Sequence, residues 1–104
     1  LSLKLTLRQR QSEFAKMLVL LILFAYVKGY EITLGDAYAK TGHRKGSFHY
    51  KRLAQDLNLF KDGIYLRKTS DHLSLGEFWE SIGGSWGGRF KGGDGNHYSF
   101  GEKR

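Results

Sequence analysis

The 104-residue chain has no cysteine, no proline, one methionine and only four histidines. Without cysteine no disulfide can staple the fold, and any zinc site must be built from histidine and carboxylate ligands. Without proline, glycine is left as the main punctuation. Many of the fourteen glycines crowd into SIGGSWGGRFKGGDG, residues 81–95. Trp86 and Phe90 interrupt that stretch, so it reads as tight turns between short strands rather than as a linker. Negative charge is also scarce: 10 acidic residues face 17 basic ones, for a net charge of +7. Such a chain is drawn to polyanions, whether nucleic acid, anionic lipid or an acidic cell wall. No apolar run reaches the ~20 residues of a membrane span. The longest, MLVLLILFAYV at residues 17–27, has the size of a secretory hydrophobic region. Lys28, Glu31 and Asp36 separate it from the small-residue site Ala37-Tyr38-Ala39. It therefore reads as a buried helix, and the chain is expected to be soluble and without a leader.

What is present is enough for one domain, residues 1–104, since 40% of the chain is hydrophobic and 14% aromatic. Residues 6–28 read as one long helix. Thr6-Leu-Arg-Gln9 fits a capping box, and Phe14, Leu18, Leu21 and Ala25 recur at helical spacing. Gln9, Arg10, Glu13 and Lys16 form a wet side in the first half. The second half is apolar nearly all round and is expected to be deeply packed, with Gly29 as the stop. YEITLGDAY is read as a strand, followed by the basic loop KTGHRKGS. Residues 53–60 alternate, with Leu53, Leu57 and Leu59 on one face and Ala54, Asp56 and Asn58 on the other. Lys61-Asp62-Gly63 turns the chain into a partner strand, IYL. Residues 73–83 form a short helix ending in glycine, and a strand near Trp86 and a last one at residues 97–100 complete the chain. The fold class is α+β: a small, mostly antiparallel sheet with a long N-terminal helix and a second short helix.

The candidates for chemistry are His43, His49, His72 and His97 with nearby carboxylates. His49 and Asp56 are seven residues apart. In one strand they would face opposite sides, and in one helix they would lie ~10 Å apart. They can share a metal only if the chain bends between them, with His49 on a turn and Asp56 on the strand that follows. His97 would be the third ligand, leaving a position for water, which is the pattern of a catalytic zinc. Asp94, three residues before His97, would be the general base, folded back by Gly95. Spacing alone leaves the alternatives open: an Asp-Gly turn is ordinary, and a histidine on an aromatic strand can belong to a core.

Ser47-x-His49, Ala54-x-Asp56 and Asp94-x-x-His97 together resemble the zinc peptidases of the M15 family. That family includes D-Ala-D-Ala carboxypeptidases, dipeptidases and phage L-alanyl-D-glutamate endopeptidases. EITLGDAY, RLAQDLNLF, LGEFWESIGGSWGGRF and DGNHY resemble members of the phage endolysin type, over residues 9–100. The resemblance implies one zinc per chain held by His49, Asp56 and His97, with Asp94 activating water and Ser47 orienting the ligand turn. The chain departs from the family pattern in two places. Arg52 stands where many relatives have glycine, and Ala39 where some have arginine, so Arg44 and His43 are the nearest candidates for steadying an oxyanion.

The resemblance further implies hydrolysis of the L-Ala–D-Glu bond of the peptidoglycan stem peptide, with D-Ala-D-Ala carboxypeptidase as the alternative. It points to a monomer that neither binds nucleic acid nor inserts stably in a membrane. Made in the host cytoplasm, it would reach the cell wall after holin-type release. From another class, a basic nucleic-acid-binding module would account for the charge and the interleaved aromatics, but not for the His–Asp–His set. A metal-free wall-binding descendant of the fold would have no need of all four key residues. Lys40, Arg44, Lys45, Lys51 and Arg52 crowd the ligand segment in sequence and read as a solvated face or as a basic surface that draws stem-peptide carboxylates. His72 is expected at a helix start, Trp79 and Trp86 in the core, and Tyr50 and Tyr98 along the cleft.

Overall fold

The computed structural model describes residues 4–38, 42 and 47–102. Helix α1 (Leu7–Val27) starts where the capping box places it. The Gln9 amide N–H donates to Thr6 Oγ1 at 3.1 Å, and the Thr6 N–H donates to Gln9 Oε1 at 2.8 Å. Lys28 caps the other end, and Gly29, at φ 89°, turns the chain away. Phe14, Leu21 and Ala25 are buried on one face. The opposite face corrects the expectation of deep packing: Val19, Leu20, Leu23, Tyr26 and Val27 are exposed, Val27 at 76%. The reason is one of layers. An all-round apolar helix needs cover on both sides, and here α2 and the sheet supply only one. Among the described residues no helix is long and apolar enough to cross a membrane.

Strand β1 (Glu31–Leu34) pairs antiparallel with β2 (Ala54–Lys61), which is the centre of the sheet. Asp62 and Gly63, at φ 52° and 78°, make the two-residue turn of a hairpin into β3 (Ile64–Leu66). The N-terminal half of β2 pairs instead with β5 (His97–Ser99), and β5 pairs with β4 (Ser85–Trp86). Alternation along β2 holds: Leu53, Leu57 and Leu59 are fully buried, whereas Asp56 lies on the other face and keeps some exposure. Helix α2 (Leu73–Ser81) closes the core with Trp79, whose Nε1–H reaches the carbonyls of Ser85 (3.1 Å) and Ser99 (3.0 Å). Trp86 fills the space above Gly76, where any Cβ would run into its ring. Both tryptophans are core, as read from the sequence.

His72 does stand at a helix start, at the end of a 3-10 turn (Thr69–His72) that leads into α2. It is buried, and its Nδ1 shares a 2.8 Å hydrogen bond with Tyr98 Oη. Tyr98 is fully buried beside Trp79, not on the cleft; on a strand, the neighbour of His97 must face the other way. Burial lowers the His72 pKa to about 4, against a smaller opposing pull from Asp71. A histidine held neutral in the fold stabilises it fully above pH 6.5 and loses that contribution as pH falls toward 4, about 3 kcal/mol in all. Urea denaturation of the chelated protein at pH 7.5 and 4.5 should therefore show an acid loss of stability that His72→Phe removes. Equal losses in the two proteins would clear His72 of the effect.

Candidate metal centre

Ser47 opens a 3-10 turn (Phe48–Lys51) by accepting, at Oγ, the N–H of His49 at 3.3 Å. The turn ends at Arg52, held at φ 58° in the left-handed region, after which the chain runs into β2. This is the bend that the His49–Asp56 spacing requires. Glycine adopts that conformation without steric cost, whereas an L residue with a Cβ pays for it. Here the Arg52 guanidinium lies 4.4 Å from the centre of the Tyr38 ring. With the bend in place, His49 Nε2 sits 3.0 Å from Asp56 Oδ1.

The third group arrives through strand register. Asp56 is the direct partner of His97 across β2 and β5, so both side chains leave the same face of the sheet. His97 Nδ1 is 3.2 Å from His49 Nε2 and 3.4 Å from Asp56 Oδ1. Donors bound at ~2.0–2.1 Å in a tetrahedral zinc site stand ~3.3 Å apart. The three measured separations bracket that value, and two imidazole nitrogens with one carboxylate oxygen suit zinc chemically. Both histidines are buried and Asp56 is mostly so, at 20% side-chain exposure.

The electrostatics are those of groups made to share a positive charge. Burial alone would disfavour charged His49, but the hydrogen bond and charge of Asp56 outweigh it and raise its pKa above the usual 6.5. Burial would likewise raise Asp56, yet His49 and His97 together bring it down to about 2.

Asp94 stands at the rim. Its Oδ2 is 3.9 Å from His97 Nδ1, and its side chain is 42% exposed, twice the value for Asp56. A tight turn returns it there, through the His97 N–H to Asp94 carbonyl bond of 3.1 Å and the Asp94 N–H to Gly87 carbonyl bond of 2.8 Å. The part played by Gly95 differs from expectation. The left-handed positions are Gly92 and Gly93, whereas a Cβ on Gly95 would come within 2.6 Å of the Thr69 backbone. Glycine is needed at 95 for close approach, with the Trp86 Nε1–H on its carbonyl at 2.7 Å and Thr69 Oγ1 on its N–H at 3.2 Å.

Ser47, His49, Asp56, Asp94 and His97 thus converge, and His72 lies apart in the core. His43 and Arg44, the oxyanion candidates, and Ala39 fall outside the described residues, as do Lys40 and Lys45 of the basic surface. One buried group escaped the sequence reading. Glu102, 4% exposed, places Oε1 3.0 Å from His97 Nε2. The only signal was a lone carboxylate five residues past a ligand.

No curated protein matches the chain at a significant level. A family model of the M15 peptidases, described as D-alanyl-D-alanine carboxypeptidase, matches residues 41–100, more than half of the chain and all of the converging residues. The chain belongs to the M15 family of zinc-dependent peptidases.

Proposed function

We propose that the protein is a peptidoglycan endopeptidase of the endolysin type that hydrolyses the L-Ala–D-Glu bond of the stem peptide. The observation that carries the hydrolytic reading is the buried His49–Asp56–His97 donor set with a separate, half-exposed carboxylate, Asp94, at its rim. His49 Nε2, Asp56 Oδ1 and His97 Nδ1 would hold one zinc. When bound, zinc acidifies water and polarises a carbonyl oxygen as a Lewis acid. Asp94 Oδ2 is the base in this scheme: it takes one proton of the attacking water as the oxygen adds to the scissile carbonyl carbon. The C–N bond then breaks, and Asp94 returns the proton to the departing amine nitrogen. The products are a new carboxylate and a new amino terminus, and no covalent enzyme intermediate is needed. Ser47 keeps His49 oriented through its backbone N–H.

The choice of bond rests on the likeness of EITLGDAY, RLAQDLNLF and LGEFWESIGGSWGGRF to phage endolysins. The description of the matching family favours a second reading, release of the terminal D-Ala by a D-Ala-D-Ala carboxypeptidase. A nucleic-acid-binding role gives no reason for two buried imidazoles and a carboxylate to converge. The proposal extends to residues 1–104 as one catalytic unit, acting as a monomer, made in the host cytoplasm and reaching the wall after holin-type release. Digestion of purified peptidoglycan with and without chelator, followed by mass spectrometry of the fragments, tests the reaction. New N-terminal D-Glu supports the endopeptidase, released D-Ala the carboxypeptidase, and a digest without chelator-sensitive products overturns both.

A further inference from the structure

The matched family region stops at residue 100, and Glu102 lies beyond it. Gly101, at φ 91°, reverses the chain after β5, and Ser99 Oγ accepts the Glu102 N–H at 3.1 Å. The reversal carries the Glu102 side chain back beneath the donor set. There one oxygen, Oε1, meets two donors: the ring Nε2 of His97 at 3.0 Å and the backbone N–H of Phe48 at 3.1 Å. Phe48 begins the turn that carries His49, and His97 is on β5. A single buried carboxylate oxygen therefore joins the two elements that bring the imidazoles together, 54 and 5 residues away along the chain.

An ionised carboxylate only accepts hydrogen bonds. A neutral His97 facing it must carry its proton on Nε2, which leaves Nδ1, the atom turned toward His49 and Asp56, with a bare lone pair. The alternative tautomer would put a proton where a metal ligand must be unprotonated and set Nε2 against the carboxylate lone pair by lone pair. We infer that Glu102 is a positioning residue: it fixes the tautomer and ring orientation of His97 and locks the His49 turn to β5, so that the three donors stand assembled before metal arrives. The inference rests on the metal-centre reading but not on which bond is cut, nor on any peptide being cut.

The test uses the full chain and two variants, Glu102→Ala and Glu102→Gln. The Glu102→Gln substitution keeps one acceptor oxygen that both donors can share, loses the charge and turns the other oxygen into an amide donor. Long-range 1H–15N spectra of the chelated protein at pH 8 report the His97 tautomer directly. The wild type and Glu102→Gln should show the proton on Nε2, and Glu102→Ala a mixture of tautomers. Zinc affinity, measured by competition with a chromogenic chelator, should fall ~10–100-fold in Glu102→Ala, as for loss of an outer-shell partner. It should return to within a few-fold of wild type in Glu102→Gln. An unchanged tautomer and affinity in Glu102→Ala would overturn the inference. So would a loss in Glu102→Gln as deep as in Glu102→Ala, because the hydrogen bond would then not be what holds His97. Should Glu102→Ala fail to fold, Glu102→Leu, which fills the space but accepts no hydrogen bond, takes its place: a mixture of tautomers with weakened affinity supports the inference, and wild-type values overturn it. Peptidoglycan left intact by a zinc-loaded wild type would count against the proposed reaction and leave these readouts standing.

Discussion

Asp94→Ala is expected to keep one zinc per chain while lowering peptide hydrolysis by ~10²–10⁴-fold, the range supplied by a positioned general base. The separation of the two effects follows from where the carboxylate stands. Asp94 Oδ2 is 3.9 Å from His97 Nδ1, outside the 3.0–3.4 Å spacing of the three donors, and it remains half-exposed. The turn that places Asp94 is made by its backbone, through Gly87 and His97, so truncating the side chain leaves those bonds intact. Asp94→Asn is the finer variant, because it preserves shape and removes only basicity. Zinc content by elemental analysis, read beside turnover of a stem peptide, checks both halves of the expectation. Wild-type turnover in Asp94→Ala would remove Asp94 as the base. Loss of zinc in Asp94→Asn would make it a ligand instead.

Much of the scaffold behind Asp94 was legible in the sequence because local rules determine it. The Thr6–Gln9 capping box, the Asp62-Gly63 hairpin turn and the alternating leucines of β2 each rest on contacts within a few residues. The His49–Asp56 bend was legible by exclusion, since no straight element brings positions seven apart onto one metal. Tyr98 was misplaced along the cleft: alternation puts the neighbour of a site residue on the opposite face, and it lies in the core.

Other features depend on what the rest of the chain supplies. Periodicity shows which residues of α1 could be buried, but Val19, Leu23 and Val27 are exposed because, among the described residues, the sheet and α2 cover the other side. Glu102 belongs to no motif in the sequence, and only the reversal at Gly101 and the bond to Ser99 fold it inward. Gly95 gave the right position for the wrong reason, since its constraint comes from Thr69, twenty-six residues earlier. Hydrogen bonds between distant segments leave little trace in spacing, and a site's outer supports consist largely of them.

His49→Ala and Asp56→Ala should behave unlike Asp94→Ala, losing zinc and hydrolysis together. Each removes one of three donors that already stand 3.0–3.4 Å apart, leaving two, and two protein ligands do not make a zinc site of the catalytic type. The loss of affinity should exceed the ~10–100-fold that removal of an outer support costs. The sharpest comparison is between the two aspartates. Asp56 and Asp94 both approach His97 Nδ1, at 3.4 and 3.9 Å, and both are carboxylates of one small site. They differ in burial and in contact with His49: Asp56 is bonded to it at 3.0 Å in the interior, and Asp94 opens to solvent. Deleting Asp56 should therefore abolish metal binding in equilibrium dialysis, and added zinc at micromolar concentration should not restore turnover. If Asp56→Ala retained stoichiometric zinc and Asp94→Ala lost it, the two roles would be exchanged and the base would be the buried residue.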